Sequence, residues 1–130
     1  MKTKDKINQH ITVAVIDDHD LIREHISEIL IDFGFSVVLK ARHGRELLEQ
    51  LSNSTASPDV CLLDISMPVM NGFDTAQNLR KSYPQIKILA FSMDTDDKTV
   101  AKILQCGAHD FAEKNIEPDK LKDKLIGVLL

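Results

Sequence analysis

Five short apolar runs, each followed by a segment of helical periodicity, constrain this chain more than any other feature. Ile11-Thr-Val-Ala-Val-Ile16 is β-branched and unbroken, the pattern of a strand buried on both faces. Phe35–Leu39, Asp59–Leu63, Ile86–Phe91 and the short Asp110–Glu113 read as four further strands. After the first run, Ile22, Ile26, Ile29 and Phe33 recur at steps of four, three and four, which puts them on one helical face. Asp20 stands where a cap would start that helix, and Gly34 where one would end it. Leu47, Leu48 and Leu51 mark a second helix, Phe73, Ala76 and Leu79 a third, and Val100, Ile103 and Leu104 a fourth. Leu121, Leu125, Val128 and Leu129 form the expected buried side of the last, opened by Pro118, whose missing N–H is harmless in a first turn. Strands too apolar to face water, alternating with helices, predict an α/β fold: one parallel sheet covered on both sides, with right-handed crossovers.

Composition narrows the function. At 130 residues the chain has room for one domain. Sixteen Lys and Arg against 20 Asp and Glu, a net charge of -4, argue against a nucleic-acid-binding face, which needs clustered positive charge. No apolar run approaches the length of a membrane span, and no apolar stretch of the signal-peptide kind follows Lys2, Lys4 and Lys6. Residues 1–10 read as a flexible lead and 11–130 as the domain. Cys61 and Cys106 are isolated in apolar segments and form neither a metal motif nor a disulfide framework, so the expected setting is reducing and cytoplasmic.

In open parallel sheets, ligands bind beyond the C-terminal strand ends. Residues there are Asp17 and Asp18 after the first strand, Asp64 after the third, Ser92 after the fourth and Lys114 after the fifth. Singly, each has an ordinary role as a turn former, cap or solvated lysine. Together they are harder to explain that way. Three carboxylates brought close repel one another unless a cation compensates, so the set suits a hard divalent ion such as Mg²⁺, bound through oxygen and completed by phosphate and water. A fixed ammonium and a hydroxyl beside it supply what phosphoryl transfer requires, since its catalysis is mostly positioning and charge neutralisation. Asp64 is then the candidate nucleophile. His19, beside the acidic pair, is read as a helix-start residue because Mg²⁺ prefers oxygen.

Val15-Ile-Asp-Asp-His19, Leu63-Asp-Ile-Ser-Met-Pro-Val-Met-Asn-Gly72, Ala90-Phe-Ser92 and Gly107-Ala-His-Asp-Phe-Ala-Glu-Lys114 occur in the order and at about the spacing of the receiver domains of two-component response regulators. The chain resembles that family over about residues 10–130. The Asp-Asp-His and Phe-Ser-Met details, and Lys114-Asn115 where many relatives have Lys-Pro, look closest to receivers joined to LuxR-type helix-turn-helix domains. The resemblance implies a single-domain (βα)5 flavodoxin-like sheet of order 2-1-3-4-5. It implies Asp64 as phosphoacceptor and Asp17 and Asp18 as the acidic pair that, with Asp64 and the backbone carbonyl of Ser66, holds Mg²⁺. Ser92 matches the switch hydroxyl, Lys114 the phosphoryl-pairing lysine and Phe111 the switch aromatic. For Phe111 a plain core role on a short strand stays open.

By the same resemblance, a histidine kinase or phosphotransfer protein donates the phosphoryl group, and the surface of the fourth helix, fifth strand and fifth helix controls an output domain or partner. The protein is then no enzyme beyond assisting its own phosphorylation and dephosphorylation. It is expected to be a monomer or a phosphorylation-dependent homodimer, stand-alone or cut from a longer regulator. Two rival readings are an aspartate-dependent phosphatase, which needs a specificity segment that 130 residues do not spare, and a degenerate receiver acting as a constitutive interaction module. A nucleotide-binding domain of the same architecture is weaker, because no Gly-rich phosphate loop follows the first strand.

Overall fold

Strand β1 (Thr12–Ile16) runs through the interior of the molecule: Val13, Ala14, Val15 and Ile16 are all inaccessible to water or nearly so. The computed structural model describes residues 11–54, 57–67 and 69–130; the lead 1–10, part of the Ser-rich loop and Pro68 lie outside the described residues. Following β1 are α1 (Asp20–Asp32), β2 (Ser36–Ala41), α2 (Gly44–Ser52), β3 (Val60–Asp64), α3 (Gly72–Ser82), β4 (Lys87–Ser92), α4 (Asp97–Gln105), β5 (Asp110–Glu113) and α5 (Pro118–Leu129). All strand pairs are parallel, in the order β2-β1-β3-β4-β5, as the resemblance implied.

Two apolar layers form because side chains alternate across a strand. Val13, Val15, Val60, Leu62, Leu89 and Phe91 point to one face, where Ile26 and Leu30 of α1 and Leu121, Leu125 and Ile126 of α5 cover them. Ala14, Ile16, Cys61, Leu63, Ile88 and Ala90 point to the other, covered by Leu47 and Leu51 of α2, Ala76 and Leu79 of α3 and Ile103 of α4. Leu30 has no exposed surface. Leu30→Ala is expected to lower unfolding free energy by about 3 kcal/mol, through lost apolar burial plus the cavity left behind, with urea denaturation as the measurement.

Several local expectations are corrected. Asp20 does not cap α1: the N-cap is His19, which makes no side-chain cap bond, while Asp20 is the first helical residue and pairs with Arg23 at 2.7 Å. The carboxylate that serves this turn is Asp17, whose Oδ1 accepts from His19 N–H at 2.9 Å. The expectation that every strand avoids water fails at β2, where Ser36, Val38 and Lys40 are exposed. As an edge strand, β2 has one side free of the sheet. Its register against β1 jumps from Val13↔Val37 to Ala14↔Leu39, so Val38 is an extra residue of a bulge, a common edge device. On α4 only Ile103 is buried and Leu104 is exposed. On α5 the buried set is Leu121, Leu125 and Ile126, with Val128 and Leu129 half-buried. Gly34, at φ 97°, terminates α1 as expected. No helix of the described residues is long and apolar enough to cross a membrane.

Candidate functional site

The chain leaves β1 toward β2 on one side and returns to β3 on the other, so the switch point of the sheet lies between β1 and β3. Asp17 follows β1 directly, and Asp64 is the last residue of β3, so the two carboxylates straddle that point. Ser92 ends β4 and Lys114 follows β5. Asp17, Asp64 and Ser92 are each at most 3% exposed, whereas Asp18 stands at the surface.

Lys114 ties the group together. Its Nζ lies 2.8 Å from Asp17 Oδ2 and 3.3 Å from Asp64 Oδ1, with only 10% of the side chain exposed. Oxygens of Asp17, Asp18 and Asp64 lie within 4.8 Å of one another. Burial first, and then the Asp17 charge, pushes the Asp64 carboxyl up to about 7 against the opposing pull of Lys114. For Lys114, burial acts downward, but the hydrogen bond to Asp17 and the Asp64 charge outweigh it and raise the ammonium above its ordinary value. One lysine therefore does not neutralise the three carboxylates. Apart from its ion pair, the buried Asp17 Oδ2 accepts no hydrogen bond. A donor set of carboxylate oxygens alone, short of positive charge, fits a hard cation and not a softer nitrogen- or sulfur-seeking one.

Beside these groups is a cleft of about 270 Å³ whose wall includes Asp18, Asp64, Ser66, Ser92 and Lys114. Ser66 N–H donates to Asp64 Oδ1 at 3.3 Å. The hydroxyl oxygen of Ser92 accepts from Asp94 N–H at 3.0 Å, which leaves its own proton free to donate. The structure thus brings together Asp17, Asp18, Asp64, Ser66, Ser92 and Lys114. Phe111 stands apart from them, half-buried against the layer under α2, α3 and α4. Neighbouring strands hold the arrangement: Asp64 pairs in register with Phe91, and Lys114 N–H donates to Ser92 carbonyl at 2.9 Å.

Ile22 and Arg23 were missing from the sequence reading of this region. Ile22 packs against the core layer under α1, as its spacing predicts, and also lines the cleft, as do Met93 and Asp94. Arg23 Nη1 donates to the Asp17 carbonyl at 2.8 Å and so fixes the acidic turn from one helical turn away. An arginine at that distance from an aspartate pair is an ordinary surface pattern, and nothing in the sequence marks it. His19 sits at the cleft wall as the first cap of α1.

Comparison with known proteins agrees with the geometry. The chain is 34% identical over 119 residues to the transcriptional regulatory protein DegU of Brevibacillus brevis, covering 90% of this chain and 50% of DegU. It is 31% identical over 113 residues to the chemotaxis protein CheY of Thermotoga maritima, covering 87% and 92% respectively. Among solved structures, the signal receiver domain of the response regulator NarL from Mycobacterium tuberculosis superposes with a TM-score of 0.83 at 30% identity, covering 92% of this chain and 95% of that one. The chain spans about half the length of the DegU and GacA regulators that it matches. The model of the response regulator receiver domain matches residues 13–126, and with the five-stranded sheet and acidic strand ends described above, this chain belongs to that family of phosphorylation-dependent signalling domains.

Proposed function

We propose that Asp64 accepts a phosphoryl group from the phosphohistidine of a histidine kinase or phosphotransfer protein. An Asp64 carboxylate oxygen attacks phosphorus, the bond from phosphorus to the donor's imidazole nitrogen breaks, and the imidazole leaves with a proton from solvent. The observation that carries this reading is the buried Asp64 carboxylate, 3.3 Å from the Lys114 ammonium, opening on a cleft beside Ser92. Receiver domains bind Mg²⁺ at a cluster of acidic residues, and here Asp17, Asp18 and Asp64 supply the cluster, with the Ser66 carbonyl as a further ligand. When bound, the ion offsets the negative charge of the carboxylates and of the phosphoryl oxygens.

The residues of the chain do the rest. Lys114, already the counter-ion of Asp64, pairs with the added phosphoryl charge, and the Ser92 hydroxyl donates to a phosphoryl oxygen. The shift of Ser92 carries the β4–α4 segment with it, and Phe111 follows inward. Helix α4 is suited to move because Ile103 is its one buried side chain, so few contacts oppose a population shift. The face of α4, β5 and α5 is then the readout, acting on an output domain or partner, or on a second copy of the chain. A match to half of DegU favours a place in a longer regulator. The domain itself has no need to bind nucleic acid, and its net charge of -4 suits it poorly to do so. Residues 11–130 would form the receiver and residues 1–10 its lead, with the cytoplasm as the setting.

Intact mass after incubation with acetyl phosphate and Mg²⁺ tests the reading. Wild type is expected to gain one phosphoryl group, with no gain in Asp64→Asn and none when a chelator removes the ion. Gain in both proteins would place the acceptor elsewhere, and no gain in a folded wild type would favour a constitutive interaction module.

A further inference from the structure

At the opposite end of the sheet, His109 occupies the turn between α4 and β5 and completes the end of the β4–β5 ladder. Ile88, in β4, is fully buried, and its carbonyl accepts from His109 N–H at 2.8 Å. In a parallel strand the N–H of a residue faces the same neighbour as its carbonyl. The Ile88 N–H therefore points where β5 has not yet begun, since β5 starts at Asp110. The ring of His109 fills that place: Nδ1 accepts from Ile88 N–H at 3.0 Å. Without it, a buried backbone donor would go unpaired, a costly state.

The other ring nitrogen also faces a donor. Nε2 lies 3.4 Å from Arg80 Nη1 of α3. A neutral imidazole offers a single acceptor nitrogen, and two donors compete for it. Arg80 has an alternative, the Pro84 carbonyl at 3.3 Å, whereas Ile88 has none, so Nδ1 is the bare nitrogen and Nε2 carries the proton. A protonated ring satisfies neither neighbour. The surrounding charges oppose protonation as well: α3 presents Arg80 and β4 presents Lys87. Burial first, and then those two cations, hold His109 below its ordinary value, against a smaller opposing effect of the Ile88 backbone. The adjacent carboxylate, Asp110, is engaged by Phe111 N–H at 2.7 Å and by Lys124 of α5 at 3.4 Å.

We propose that His109 is a proton-operated latch, which joins β4 to the α4–β5 turn when neutral and releases it when protonated. The ring is exposed enough to exchange protons with solvent. A histidine whose folded pKa is depressed stabilises the fold above its unfolded value near 6.5, and that stability is lost as pH falls. Acidification thus loosens the turn between α4 and β5. The latch is independent of the identity of the phosphoacceptor.

Urea denaturation of the 130-residue chain and of His109→Asn across pH tests it, since an Asn Oδ1 can accept the Ile88 N–H but does not titrate. Between about pH 7.5 and about pH 5, the unfolding constant of the wild type is expected to rise about threefold or more beyond that of His109→Asn. Parallel curves overturn the proposal. If the variant does not fold, an NMR titration of the wild type decides. The Ile88 amide must shift with the His109 ring; an unmoved amide, or a ring midpoint at or above the ordinary value near 6.5, overturns the latch.

Discussion

Asp64→Asn, which should remove phosphoryl uptake, is expected to make the folded chain more stable at about pH 8 without Mg²⁺, by about 2 kcal/mol. The reason is electrostatic. Asp64 is 3% exposed, lies close to the Asp17 carboxylate, and is pushed up to about 7 from 3.8. A carboxyl whose folded pKa lies above its unfolded one binds more protons in the folded state. Its effect on stability is therefore most favourable below about 3.8 and is lost as pH rises through about 7. Asn keeps the shape, removes the charge, and leaves Lys114 paired with Asp17 at 2.8 Å. The gain should shrink steadily as pH is lowered toward about 4. Added Mg²⁺ should narrow it too, because ligand binding stabilises only the form that binds. Urea denaturation with and without the ion measures all three. A less stable variant at about pH 8 would mean that packing or hydrogen bonding at Asp64 outweighs the crowding of charge. A more stable variant would mean that the proposed nucleophile is held at the expense of the fold, a conflict that a bound cation would relieve.

Gly72→Ala is expected to do the reverse, costing about 2–3 kcal/mol and slowing phosphoryl uptake by roughly tenfold or more. Gly72 begins α3, and its N–H donates to the Ile65 carbonyl at 2.8 Å. A Cβ there would lie 2.5 Å from Ile65 Cα and 2.6 Å from the Asp64 carbonyl oxygen. Both are main-chain atoms at the end of β3, and no rotamer change relieves the overlap. Either α3 moves outward, losing the burial of Ala76 and Leu79, or the backbone at Asp64 moves and displaces its carboxylate from Lys114. Gly127→Ala is the control. That position is in α5, has nothing within 4 Å of a new Cβ, and should be neutral or gain up to about 1 kcal/mol from helix propensity. Denaturation midpoints and phosphorylation rates from acetyl phosphate give both readouts. An unchanged Gly72→Ala in either would mean that the approach of α3 to Asp64 is not what positions the proposed acceptor.

Much of this was legible in the chain itself. Short unbroken apolar runs predicted five strands, because a strand covered by helices on both sides admits only apolar residues along its length. The strand ends predicted Asp17, Asp18, Asp64, Ser92 and Lys114, because in a parallel sheet all C-terminal ends meet at one edge. Local signals failed where the outcome depended on neighbours. Asp20 has the composition of a cap, yet the turn is served by Asp17, two residues before the His19 cap. Val38 reads as core but lies in an edge-strand bulge at 43% exposure. Leu104 has the spacing of a buried residue on a helix that buries only Ile103.

What the sequence determined alone is therefore the set of elements and the chemical groups at their ends, because both follow from short-range periodicity and chain direction. The tertiary structure decided which strands are neighbours. Only the placement of β3 beside β1 brings the Asp17 and Asp64 carboxylates together, and only the placement of β5 beside β4 lets Lys114 reach both. Likewise, the unpaired Ile88 N–H that His109 closes arises because β5 starts later than its neighbour. The charge balance of the site is a property of separations of a few ångströms between residues as much as 97 positions apart in sequence, from Asp17 to Lys114, and packing sets those distances.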